Sequence, residues 1–184
     1  MKLNNIHKTL IIVVIFSLIA VMLYTTFAYL ITTTNNTNTI KGDLGLDAYI
    51  IYEDGTDVLE GLITPGADYT SGINCTISLY KNTTGNTYPI IGRVYLTIDT
   101  IGENLKTDQA LKWTIISDGE VLGTGNFYNK VAGKSITLKD GIELRTTQQE
   151  FTVYIWLDEA LVSNYDIEGE SFSVTVKAEA TTAS

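Results

Sequence analysis

The chain has 184 residues and a formal charge of −9, with 21 acidic against 12 basic side chains. That balance excludes the basic footprint that nucleic-acid binding needs and argues against adhesion to anionic lipid. A single cysteine and a single histidine exclude a disulfide-stapled miniprotein and leave little for imidazole-based chemistry.

Lys2, His7 and Lys8 open the sequence, and a charge-free stretch runs from Thr9 to Ile40, apolar almost throughout from Leu10 to Ile31. A basic n-region, an apolar h-region and small residues at a cut site make an export signal. Thr26 and Ala28 are the small residues just ahead of a cut before Tyr29. The apolar run is also long enough to span a bilayer, which takes roughly 20 residues. A retained anchor and a buried soluble helix therefore stay open beside the cleaved signal. In both exported cases Lys2 and Lys8 stay inside and the C-terminal bulk is translocated. The expectation is a secreted or cell-surface protein whose partners include export machinery and a signal peptidase. Membrane contact would run only through residues 9–31, if these are uncut. A type IV pilin is disfavoured, because no Gly stands at the Lys8–Thr9 boundary and no acid comes early in the apolar run.

Beyond Ala28, 156 residues carry ten Lys/Arg and all twenty-one Asp/Glu, a charge of −11. That length suits one domain with a substantial core. The organisation expected is 1–28 as signal or anchor, 29–41 as an extended Thr/Asn-rich segment, and 42–184 as a β-sandwich. Residues 32–41 are polar and of low complexity, which fits a disordered tether or a strand pairing with a sheet edge. Asn35, Asn74 and Asn82 head Asn-x-Ser/Thr sequons, meaningful only in a host that glycosylates Asn. Cys75 shares an alternating face with Ile77 and Leu79, so burial is expected, with an intermolecular disulfide as the alternative.

From Leu44 the chain reads as β throughout. Strands are expected at 44–52, 69–80, 88–101, 111–117, 120–128, 134–138, 142–145, 150–157 and 171–180, all rich in Val, Ile, Thr and Tyr. Glu53-Asp54-Gly55, Pro65-Gly66, Thr84-Gly85-Asn86, Ser117-Asp118-Gly119 and Lys139-Asp140-Gly141 mark the breaks. Phe151, Val153, Ile155 and Leu157 alternate with Thr152, Tyr154 and Trp156. Phe172, Val174, Val176, Ala178 and Ala180 alternate with polar partners. One apolar face per strand predicts a two-sheet core. Tyr154 and Trp156 fall on the other face, to be covered by a loop or a neighbouring subunit, or paired across strands. Short helical turns are expected only in 103–110 or 158–164. The fold class is all-β: a two-sheet, jelly-roll-like sandwich preceded by the N-terminal hydrophobic helix. The Cys…Trp…Cys pattern of antibody domains is absent.

The only histidine, His7, lies on the cytoplasmic side of the signal. The exported part therefore has no His-based zinc site and no Ser-His-Asp or Cys-His catalysis. Lys134-Ser135 are neighbours on a strand and point to opposite faces. Glu53, Asp54 and Asp57 cluster carboxylates in a turn, but without EF-hand spacing, so a plain polar turn is preferred over calcium. No enzyme activity, metal or cofactor is expected.

Thr26-Phe27-Ala28-Tyr29-Leu30 resembles the Thr-Phe-Ala-Tyr-Phe box at the signal boundary of the TasA/camelysin family. Thr32–Thr39 followed by Gly42-Asp43-Leu44-Gly45-Leu46 is similar to that family's polar stretch and Gly-x-Leu-x-Leu strand. Ile63-Thr64-Pro65-Gly66-Ala67-Asp68, Leu79–Gly85 and the closing Gly169-Glu170-Ser171-Phe172 to Ala180 continue the likeness in order. The resemblance implies export through a SipW-type signal peptidase, a β jelly roll, and assembly into extracellular biofilm-matrix fibres. It implies that the N-terminal strand is donated to the next subunit, so the main partner is the protein itself. Tyr29 to Lys41 is Pro-free and uncharged up to its last residue, with Tyr29, Leu30, Ile31 and Ile40 as apolar plugs; a flexible spacer is the alternative. Two rivals remain: a membrane-anchored β-sandwich binding module, and a secreted hydrolase, disfavoured by the missing histidine.

Overall fold

The structure, a computed structural model, describes residues 40–43, 48–52, 58–61, 63–81, 89–162, 167 and 169–182. Among the described residues there are eleven strands: β1 (Ile40–Asp43), β2 (Ala48–Tyr52), β3 (Val58–Leu59), β4 (Pro65–Gly66), β5 (Ile73–Lys81), β6 (Ile90–Ile101), β7 (Leu111–Ser117), β8 (Glu120–Asn126), β9 (Ser135–Glu143), β10 (Gln149–Asp158) and β11 (Phe172–Thr182). One short helix, α1 (Glu103–Thr107), lies within the first window foreseen for a helical turn. In the second window a turn covers 159–161, and 163–166 lie outside the described residues.

The strands form a two-sheet, all-β sandwich. The larger sheet runs β1-β2-β5-β10-β7-β8 and the smaller β3-β11-β6-β9. Every pairing along these two paths is antiparallel. β4 pairs in parallel with the end of β10, at Leu157 and Asp158. There β7 already occupies the other flank of β10.

Alternation along the strands builds the core as the sequence leads one to expect. Phe151, Val153, Ile155 and Leu157 of β10 are buried, and so are Phe172, Val174 and Val176 of β11. They meet Cys75, Ile77 and Leu79 of β5, Trp113 and Ile115 of β7, and Val94, Leu96 and Ile98 of β6 in one cluster. Aliphatic side chains of this size each contribute roughly 1.5–3 kcal/mol when taken fully out of water. Cys75 is fully buried opposite Val153, so the burial reading of its thiol holds.

Several boundaries differ from expectation. The run at 69–80 begins as a strand only at Ile73, because 69–71 form a 3-10 turn. Asp68 Oδ1 accepts from the Thr70 backbone N–H at 2.8 Å and from Thr70 Oγ1 at 2.6 Å, a local bond that competes with the sheet ladder. β8 stops at Asn126 rather than 128, and Phe127 turns into the core, fully buried. The runs at 134–138 and 142–145 are one strand, β9, and Lys139-Asp140-Gly141 is no hairpin. The register slips between Gly92 and Val94 and again between Val94 and Tyr95, and Gly141 has φ +70. A left-handed glycine lets β9 bulge one residue outwards and resume its pairing. Asp118 (φ 52) and Gly119 (φ 78) do form the expected two-residue hairpin, between the paired Ser117 and Glu120, the conformation whose twist matches its strands.

The outward aromatics of β10 are covered by a loop. Tyr69 of the 3-10 turn meets Tyr154 edge-on, with centroids 5.1 Å apart. Trp156 is buried and its Nε1 donates to the buried Thr114 Oγ1 at 3.2 Å. The Lys112 ammonium lies 5.3 Å from its ring centroid, a cation–π contact. Residues 63–72 thus form a strap across the outer face of β10. The cross-strand aromatic pair is elsewhere, between Tyr49 and Tyr80, stacked at 5.2 Å.

Candidate assembly surfaces

Thr26, Ala28, Tyr29, Leu30, Ile31, Asn35 and Asn82 lie outside the described residues, as do Glu53 to Asp57. Ile40 opens β1, with its backbone opposite Tyr52; Lys41, Gly42 and Asp43 face Ile51, Ile50 and Tyr49. The segment drawn as 29–41 therefore ends inside a strand that runs to Asp43, two residues past that boundary. Asn74 is exposed on β5 opposite Tyr154, so this sequon is accessible. Lys134 and Ser135 are both exposed, and the Ser135 hydroxyl lies 3.4 Å from Thr97 Oγ1.

Sheet edges are the surfaces on which another chain pairs, unless shortness, charge, proline or bulges protect them. β3 is only two residues long. β9 is bulged twice and carries Lys139 and Asp140. β8 is less defended: it has neither Lys nor Pro, is bulged once against β7, and leaves Val121 52% exposed. β1 closes the opposite edge of the same sheet.

Two features lie at opposite ends of the sandwich. At one end the Asp118-Gly119 hairpin, the end of β9 and the start of β10 surround an open cleft of about 410 Å³. Leu122, Ile142 and Phe151 line it with apolar surface, the last two buried. Asp118, Glu120, Glu143, Lys139 and Arg145 supply its charges. At the other end the β8–β9 loop, 127–134, presents Tyr128 and Val131 at 42% and 46% exposure. Lys130 stands between them and Lys134 follows, and no acid occurs in this loop. The loop is tied down. Asn129 N–H donates to the Lys106 carbonyl at 2.7 Å, and Gly133 N–H donates to that of Ile98 at 2.7 Å.

Two ion pairs join neighbouring strands. Arg93 and Glu179 meet at 2.5 Å. The Arg93 hydrogen bond, with a second from Tyr95, holds the Glu179 carboxyl below its usual range. Lys112 bonds Asp158 at 2.5 Å, and that bond likewise lowers the Asp158 carboxyl. Thr70 lowers Asp68 in the strap. Among the described residues no group of three or more His, Cys, Asp or Glu converges as a metal site, and no helix is long and apolar enough to cross a membrane. The sequence matches no protein-family model, and no curated protein matches it.

Neither the loop tip nor the cleft was foreseen in the sequence. The signal for the tip was present in Tyr128-Asn129-Lys130-Val131, a turn-forming stretch that keeps two large apolar residues.

Proposed function

We propose that this chain is a secreted, non-enzymatic structural protein that self-assembles into extracellular or cell-surface fibres, with its N-terminal segment donated as a strand to the next copy. The observation that carries this reading is β1. The C-terminal end of the N-terminal segment is a backbone-paired edge strand of the larger sheet. Pairing of that kind runs through N–H and C=O groups and transfers readily to an edge of another copy. The likeness to TasA/camelysin proteins gives the same direction. A jelly roll is the finer fold proposed, supported by connections that pass between the sheets at β5–β6, β6–β7, β8–β9, β9–β10 and β10–β11.

The test is negative-stain microscopy of the exported protein with and without residues 29–39, a deletion that spares β1. Filaments that vanish on deletion, while the circular dichroism stays β-rich, are expected. Unchanged filaments refute strand donation, and no filaments from either form refute fibre assembly. A cell-surface binding module is the second reading, favoured by the cleft with its apolar lining and five charged side chains.

A further inference from the structure

We infer that the β8–β9 loop of one copy docks into the cleft at the far end of a second copy, forming a head-to-tail contact that does not use the N-terminal segment. Three observations carry this. The loop tip exposes Tyr128 and Val131, two of the four large apolar side chains exposed among the described residues. The cleft offers Leu122, Ile142 and Phe151 as apolar lining. Exposed apolar side chains on one copy and a charge-rimmed cleft with an apolar floor on another are what a contact surface requires.

Charge complements shape. Lys130 and Lys134 give the loop +2 with no acid, on a chain of −9 overall. The cleft carries Asp118, Glu120 and Glu143 against Lys139 and Arg145. Asp118 and Glu120, both exposed, belong to one hairpin, the edge that a lysine from the partner would approach. Such pairing steers encounter and fixes orientation.

The loop is also held ready. Phe127 anchors its start in the core. The Tyr128 N–H donates to Asn126 Oδ1 at 3.2 Å, and Lys130 N–H to the Phe127 carbonyl at 2.9 Å. Docking a preformed loop loses little conformational freedom.

A copy cannot fill its own cleft. Glu120 begins β8 at the cleft and Asn126 ends it at the loop. The six residue steps between them, at roughly 3.3 Å each, separate the two by about 20 Å. The contact must therefore join unlike surfaces of different copies, and such contacts propagate unless their rotation closes a ring. The growth direction would follow the strands of the sandwich.

The test is cysteine cross-linking in the full chain, with Glu120→Cys and Lys130→Cys combined. Both positions are exposed, and the native Cys75 is buried. Mild oxidation should give a ladder extending beyond the dimer on a non-reducing gel, and neither single variant should. A product that stops at dimer, or no product from a protein with unchanged near-ultraviolet circular dichroism, overturns the proposal. Independently, K130E should weaken self-association roughly tenfold in sedimentation velocity, and E120K added to it should restore association. Failure of that rescue also overturns it. Repeating the cross-link with 29–39 deleted should leave the ladder intact; its loss would make the contact dependent on strand donation and refute its independence.

Discussion

Gly125→Ala is the sharpest test of how β8 is held to the core. A Cβ on Gly125 would lie 2.6 Å from Cζ2 of Trp113, 2.7 Å from Cε2 and 2.9 Å from Nε1. Carbon atoms in van der Waals contact sit about 3.5–4.0 Å apart, so the deficit is about 1 Å across the body of an indole. Trp113 is buried in the main cluster and has little room to swing away, so β8 must lift or the core must shift. Overpacking of this kind costs about 1–3 kcal/mol. With a urea dependence of about 1–3 kcal/mol per molar, the unfolding midpoint should fall by roughly 1 M. Tryptophan fluorescence reports it directly, since Trp113 and Trp156 are the only two indoles in the chain. Near-ultraviolet circular dichroism should change before denaturant is added. Gly119→Ala is the control: nothing lies within 4 Å of its Cβ, but φ is +78. It should cost about 1–2 kcal/mol through backbone strain and leave the tryptophan dichroism unaltered. A Gly125→Ala protein with wild-type midpoint and dichroism would refute the packing argument.

Ile155→Ala, which empties a fully buried site on the central strand β10, should lower stability by about 2–5 kcal/mol in the same unfolding assay. Asp158, Glu179 and Asp68 all have lowered carboxyls. Their contribution is present above the ordinary carboxylate values, about 4, and is lost as pH falls through the lower folded values. Thermal midpoints should therefore drop below about pH 4 and change little from 5 to 7; Lys112→Met should make that acid drop shallower. Cys75 should react with a thiol reagent only at the rate of opening, so that labelling accelerates with urea in step with the fluorescence change.

Alternation made most of the fold legible. The period-2 pattern of Phe151 to Leu157 and of Phe172 to Ala180 placed the two central strands, because each buries one face. Asp118-Gly119 marked a hairpin for a reason confined to two residues. The misread positions are those where a short-range cue met a longer-range pairing. Lys139-Asp140-Gly141 has hairpin chemistry, yet β6 pairs with β9 on both sides of it, and the glycine is spent on a bulge. Tyr69 to Gly72 has strand composition, yet Asp68 folds it back as the strap over Tyr154. The loop tip and the cleft were not legible, because each combines residues that only the sandwich assembles: Leu122, Ile142 and Phe151 come from three strands and two sheets.

The order in which the strands are made has its own consequence. β10 sits between β5 and β7, and β11 sits between β3 and β6. The last two described strands are thus interior strands of the two sheets, and β10 reaches back 70 to 82 residues to meet β5. Neither sheet can close until β10 and β11 have emerged from the ribosome. Pairings this remote in sequence also fold slowly. A nascent chain would stay threadable until β10 and β11 are made, then gain both halves of its core in one late step. A chain truncated before β10 would lack the strand that joins the two halves of the larger sheet, however many earlier strands it kept.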